Sequence, residues 1–136
     1  GDLLHAAAAA ADIRLVDLGF CNQSEMPGAY AGADVLALPS DGNETWGLVA
    51  NEALACGLPI VVSKACGSAP DLAADGVAGC VFESGDVEGL ARALGEVLDA
   101  PPSKAALARK AGAYSLEAAA DGVCRAMELT VGRGRR

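Results

Sequence analysis

The stretch Pro39-Ser40-Asp41-Gly42-Asn43-Glu44-Thr45-Trp46-Gly47-Leu48 concentrates the groups best suited to chemistry, carboxylates and hydroxyls among glycines, and it runs straight into a helical pattern. The first turn of a helix leaves backbone N–H groups without intrahelical acceptors and carries a partial positive charge. Glycine lets a ligand approach that backbone closely. Residues 45–49 are therefore suited to a phosphate. Two carboxylates flank the point, Glu44 ahead of the helix and Glu52 inside it. Were the intervening residues all helical, the rise between them would be about 12 Å. That exceeds the roughly 5–9.5 Å of a carboxylate pair acting on one glycosidic bond. The spacing suits the two ends of an extended ligand, a sugar diol at one and a ribose diol at the other, with phosphate between. Carboxylate oxygens accept well from such hydroxyls. The plainer alternative, a dipole-favoured loop acid and a solvated helix acid, is left open by spacing alone.

A second loop, Ser63-Lys64-Ala65-Cys66-Gly67-Ser68-Ala69-Pro70-Asp71, follows an apolar run and precedes a short helical pattern. It is expected beside the first loop, with Gly67 permitting a tight turn.

The elements that must carry these loops are short apolar runs alternating with helical patterns. Arg14 to Phe20, Val35 to Leu38, Pro59 to Ser63 and Gly79 to Phe82 read as strands, apolar on both faces as parallel strands between helices are. Ser24 to Ala33 reads as a helix with Pro27 in its first turn, and Trp46 to Cys56 as another, stopped by Gly57 and Pro59. Asp86 is placed to cap a third, with Val87, Leu90, Leu94, Val97 and Leu98 on one stripe, broken by Pro101-Pro102. Ser103 to Ala111 and Ser115 to Leu129 close the chain as helices. The order predicts an α/β protein, a Rossmann-like doubly wound parallel sheet with C-terminal helices. Ligands of such sheets bind beyond the carboxyl ends of the strands. That directs attention to the loops after Phe20, Leu38, Val62 and Phe82.

With 136 residues the chain is long enough for a core without disulfides or metals. The net charge of −8 argues against a nucleic-acid binder, which carries a basic face. The one basic cluster, Arg133, Arg135 and Arg136, reads as a solvated terminus. Cys21, Cys56, Cys66, Cys80 and Cys124 show no CxxC spacing, and His5 is the sole histidine, so no metal site is expected and the cysteines read as reduced thiols of a cytosolic protein. No apolar run approaches the roughly 20 residues that span a bilayer. The chain opens on Gly1, inside what reads as a helix, and is expected to be a fragment.

The segment Glu44-Thr-Trp-Gly-Leu-Val-Ala-Asn-Glu52-Ala-Leu-Ala-Cys-Gly-Leu-Pro-Ile-Val-Val-Ser63 resembles the E-x7-E signature of retaining GT-B glycosyltransferases of group 1, family four. Leu18-Gly19-Phe20, Ala33-Asp34-Val35-Leu36-Ala37-Leu38-Pro39-Ser40, Asp75-Gly76-Val77-Ala78-Gly79 and the helix after Gly85-Asp86 recur in that family in the same order. The likeness covers residues 13 to 100 and, loosely, the last helix around Ser115. It implies the C-terminal, nucleotide-sugar-binding lobe of a hexosyltransferase. Such an enzyme moves a sugar from a nucleotide-diphosphate donor to a hydroxyl acceptor with retention. By the same resemblance Glu44 contacts the donor sugar near the reacting centre, Thr45, Trp46, Gly47, Leu48 and Val49 approach sugar and diphosphate, and Glu52 binds the ribose hydroxyls. Cys21 would lie near the base. No metal or other cofactor is implied, since the helix dipole and basic side chains stabilise the leaving diphosphate.

The family's lobe ordinarily begins with a further strand and helix that bring an Arg and a Lys to the phosphates, and an acceptor-binding lobe precedes it. Neither is found ahead of Gly1. Residues 1–136 are therefore expected to be a donor lobe truncated at its N-terminus and inactive alone. Alternative readings are a truncated nucleotide-binding module and a sugar-nucleotide epimerase on the same scaffold. The expected partners are the donor, a sugar, lipid-linked or small-molecule hydroxyl acceptor, and the absent lobe. The expected location is the cytoplasm, with peripheral contact at the inner membrane face for a lipid-linked acceptor.

Overall fold

A computed structural model describes residues 2–133. Arg135 and Arg136 of the basic tail lie outside the described residues, as does the side chain of Arg133. The chain forms helix α1 (Asp2–Ala10), α2 (Met26–Ala31), strand β1 (Leu36–Leu38), α3 (Leu48–Ala55), β2 (Ile60–Ser63), α4 (Ala69–Leu72), β3 (Gly79–Phe82), α5 (Val87–Asp99), α6 (Lys104–Ala113) and α7 (Leu116–Arg133). The three strands are parallel in the order β1-β2-β3, with Leu36 opposite Ile60 and Ile60 opposite Gly79. Among the described residues, no helix is long and apolar enough to cross a membrane.

Strand β2 is buried at all four positions, which is why its sequence shows no alternation. Ile60 and Val62 point into the larger core, with Ala50, Ala53 and Leu54 of α3, Leu72 of α4 and Leu107 of α6. Val61 faces the other way, joining Phe82 of β3 with Ala93 and Val97 of α5. Helices thus cover both faces of the sheet. Each is delimited by its sequence. Asp86 Oδ1 accepts from Gly89 N at 2.9 Å, Ser103 Oγ from Ala106 N at 3.2 Å and Ser115 Oγ from Ala118 N at 3.2 Å, three N-caps. Gly57, at φ 78°, and the bond from Leu58 N to Ala53 O close α3.

Two expectations are corrected. Residues 14–20 form no strand. Among the described residues no strand lies beside them, and Val16, Leu18 and Phe20 are exposed. An apolar run becomes a strand only where a neighbour takes up its backbone groups. The core-facing stripe of α5 is Ala93 and Val97, buried, with Leu90 and Leu94 half-buried beside them, whereas Val87 and Leu98 are exposed.

Candidate functional site

The loops after β1 and β2 are sewn together at the carboxyl edge of the sheet. Trp46 O accepts from Ser68 N at 3.0 Å and from the Cys66 thiol at 3.0 Å. The approach is so close that a Cβ on Gly67 would stand 1.9 Å from Thr45 O. Gly67 is therefore needed for the passage of one backbone against another, and not for the left-handed turn its loop setting suggests, since its φ lies outside that region. The loop after β3 joins them, with Ser84 Oγ donating to Ser40 O at 3.2 Å and Glu83 paired with Lys64. Lys64, the basic residue of these loops, is thereby engaged.

Helix α3 starts later than its sequence pattern suggests. Gly47, at φ 86°, is its N-cap, and the left-handed backbone there cannot be helical, so Trp46 and Gly47 belong to the loop. Estimating the reach from Glu44 to Glu52 as continuous helix does not hold for the same reason. A side chain at Gly47 would also meet Cys66 Sγ at 2.7 Å and Leu38 Cδ2 at 2.9 Å. Glu44 Oε1 accepts from Gly47 N at 3.1 Å, placing a carboxylate at the positive end of α3. The N–H groups of Leu48 and Val49, in the first turn, have no intrahelical acceptor.

One turn further, Glu52 Oε2 accepts from the Tyr30 hydroxyl at 2.7 Å. Burial first, then the hydrogen bond and charge of Glu52, push that hydroxyl well above its ordinary range, so it stays a donor at neutral pH. Trp46 Nε1 donates to Asn51 Oδ1 at 2.7 Å, and Asn51 Nδ2 donates to Tyr114 O at 3.3 Å. This chain of bonds ties the site loop to the corner between α6 and α7.

Between α3 and that corner lies a cleft of ≈ 800 Å³. Trp46, Leu48, Asn51, Glu52 and Ala55 form one wall, residues 111 and 113–119 the other, and Gln23 closes one side. Its lining is mostly apolar with a few convergent polar groups, the usual make-up of a small-molecule site. Trp46, Leu48 and Glu52 thus share one cleft. Glu44, Thr45, Gly47 and Val49 lie on the adjoining loop and first turn and do not line it. Cys21 is half-buried with its thiol toward Leu18 O at 3.7 Å, outside the lining, while Gln23 is inside it. All five cysteines are free thiols, only Cys66 is buried, and Cys56 and Cys124 are exposed. Among the described residues no cluster of three His, Cys, Asp or Glu is placed to hold a metal ion.

Sequence reasoning passed over Tyr30, Asn51 and Tyr114. Asn51 had a readable signal, since a partly buried tryptophan N–H needs an acceptor and Asn51 lies five residues on. Tyr30 and Tyr114 act across 22 and 63 residues of chain, where no local pattern points.

The family described as "Glycosyl transferases group 1" matches residues 4–114. The D-inositol 3-phosphate glycosyltransferase of Mycolicibacterium gilvum is 49% identical over 74 residues, 54% of this chain and 16% of that protein. Its namesake from Mycolicibacterium smegmatis is 40% identical over 96 residues, 71% of this chain and 21% of that protein. From the same organism, a GDP-mannose-dependent alpha-(1-6)-phosphatidylinositol monomannoside mannosyltransferase is 38% identical over 96 residues, 66% of this chain and 25% of that protein. The chain therefore matches at most a quarter of the length of these curated relatives. Sucrose-phosphate synthase from Thermosynechococcus elongatus superposes on 97% of this chain, and on 34% of its own, with a TM-score of 0.79 at 22% identity, a likeness of fold. Since the match runs through nearly every element of the sheet and the helices around it, the protein belongs to the group 1 glycosyl transferases and its α/β layer is part of a GT-B fold.

Proposed function

We propose that this chain is the donor-binding lobe of a retaining hexosyltransferase. The observation that carries the reading is the layout of α3. Its unpaired first-turn N–H groups, Glu44 beside them and Glu52 one turn on in the cleft follow the order of a nucleotide-diphosphate sugar. Glu44 meets the sugar, the backbone of Thr45 to Val49 the diphosphate, Glu52 the ribose, and the base lies toward the segment from Cys21 to Gln23. When the bond from the anomeric carbon to the diphosphate breaks, negative charge grows on the leaving oxygens. The α3 N-terminus is fixed in place to receive it, an electrostatic contribution that needs no metal. An acceptor hydroxyl then makes the new glycosidic bond and gives up its proton to the leaving diphosphate. The relatives' names make D-inositol 3-phosphate the first acceptor to try and GDP-mannose one of the first donors.

Calorimetric titration with UDP, GDP, ADP and their glucose or mannose forms tests this. One nucleotide should bind selectively, and Glu52→Ala should weaken it by about 1–3 kcal/mol through lost buried hydrogen bonds. Affinity unchanged in Glu52→Ala would remove that residue from the ribose role. In the protein at its full natural length, binding of a donor without turnover on any acceptor would favour a nucleotide-binding module.

A further inference from the structure

The ring of Tyr30 is packed in the core, 6% exposed, among residues of α3 and the sheet. A hydroxyl in that position needs a partner, and any nearby backbone carbonyl would satisfy it. The partner here is Glu52, at 2.7 Å, one of the two carboxylates that line the cleft and the one on α3, the other being Glu117 at the start of α7. The bond has a consequence for a ligand. A carboxylate has two oxygens and about four acceptor directions. Tyr30 takes one of them on Oε2, and the described residues place no hydrogen bond on Oε1. A half-exposed helical glutamate otherwise samples several rotamers, each aiming its oxygens differently. Tyr30 also sits on the helix entered through Gln23, which lines the same cleft. That entry is itself fixed, because Asn22 Oδ1 accepts from Ser24 N at 2.9 Å and Glu25 Oε2 accepts from Asn22 N at 2.9 Å.

We propose that Tyr30 is a positioning residue that holds Glu52 in the rotamer receiving the ribose hydroxyls and keeps it in register with Gln23 in the same cleft. The proposal rests on the reading of Glu52 as the ribose acceptor. Tyr30 itself touches no substrate. Its hydroxyl, donating from the core side, leaves the other oxygen open to a vicinal diol.

The test is calorimetry on the protein at its full natural length, with UDP, GDP and ADP and then the 2′,3′-dideoxy form of the nucleotide that binds. Tyr30→Phe keeps the ring and removes the hydroxyl. It should lower ribonucleotide affinity about three- to tenfold, the size of one lost hydrogen bond, and leave dideoxynucleotide affinity unchanged. Glu52→Gln should erase the preference for the ribonucleotide, and Tyr30→Phe should add nothing in that background. Glu52→Asp keeps the charge but withdraws it from the hydroxyl, and should also lose the preference, which serves if Tyr30→Phe unfolds. Equal weakening of both nucleotides by Tyr30→Phe, or no weakening, overturns the positioning role while leaving Glu52 in place. A wild-type preference that survives in Glu52→Gln overturns the ribose reading and the role of Tyr30 with it.

Discussion

Glu44 shows how one residue can hold two tasks that a single substitution confuses. Its carboxylate accepts from Gly47 N, so Glu44→Ala removes a hydrogen bond of the loop that leads into α3 as well as the proposed sugar contact, and that bond alone is worth about 1 kcal/mol of stability. Glu44→Gln keeps an acceptor and separates the two. In the full-length enzyme it should keep urea stability and nucleotide affinity while turnover falls by about 100-fold or more, the scale of a lost electrostatic contact at the reacting centre. Turnover within about threefold of wild type would place the sugar elsewhere. Gly67 makes a second residue-scale case. It is exposed and its backbone is ordinary, so alanine looks harmless from sequence. The carbonyl of Thr45 forbids it. Gly67→Ala must push the two site loops apart, a strain of roughly 1–3 kcal/mol, and should weaken nucleotide binding together with stability in urea. A variant as stable as wild type would mean that the loops are not held against each other in solution.

At the scale of elements, the wall of the cleft is kept upright by α6. Lys110 reaches from α6 to Asp75 Oδ2 at 2.6 Å and to Asp71 O at 2.9 Å, and Tyr114 donates to Asp71 Oδ1 at 3.1 Å. The Lys110 hydrogen bond, then that of Val77 N, holds the Asp75 carboxyl below its usual range. A carboxylate whose value is depressed on folding stabilises the fold above its unfolded value and loses that contribution as pH falls through the folded one. Unfolding by urea should therefore show this term flat from pH 7 to about 5 and fading below about 4, near the unfolded value of aspartate. Because Asp75 is half exposed, its size is at most about 1 kcal/mol. Lys110→Met should flatten the acid limb, and an unchanged limb would show that the pair contributes nothing. This tie was not legible in sequence, since its partners lie 35 residues apart and surface lysines are common. Strands β1, β2 and β3 were legible as short unbroken apolar runs, fully buried in β2 and half-buried over much of β1 and β3. The run at 14–20 carried the same signal and misled, since composition records a readiness to be covered and says nothing of what covers it. The site loop was legible in content, through Glu44, Gly47 and Glu52, but its helix start was not, because only the φ of Gly47 shows where the helix begins.

The whole molecule sets a puzzle for the proposed ligand. The chain carries a net charge of −8, and a nucleotide diphosphate is an anion. At low salt the summed field opposes entry. Lys64, the cation of the site loops, is paired with Glu83, so on the proposed reading attraction comes from the backbone at the start of α3, which acts over a turn and not over the surface. Salt near 0.1 M, with a screening length of about 10 Å, damps the distant repulsion more than the short contact. Affinity for the diphosphate should therefore hold or rise about twofold between low salt and 0.2 M in this 136-residue chain, the reverse of a site built on lysine and arginine. Trp46 supplies the readout. It is the only tryptophan, it lines the cleft, and its indole N–H is held by Asn51. Nucleotide binding should change its emission, and iodide should quench it less once the cleft is filled. Emission blind to a nucleotide that calorimetry shows bound would move the site off this cleft. Affinity falling steeply with salt would mean that basic side chains make the phosphate contacts, and that the end of α3 is not what holds the donor.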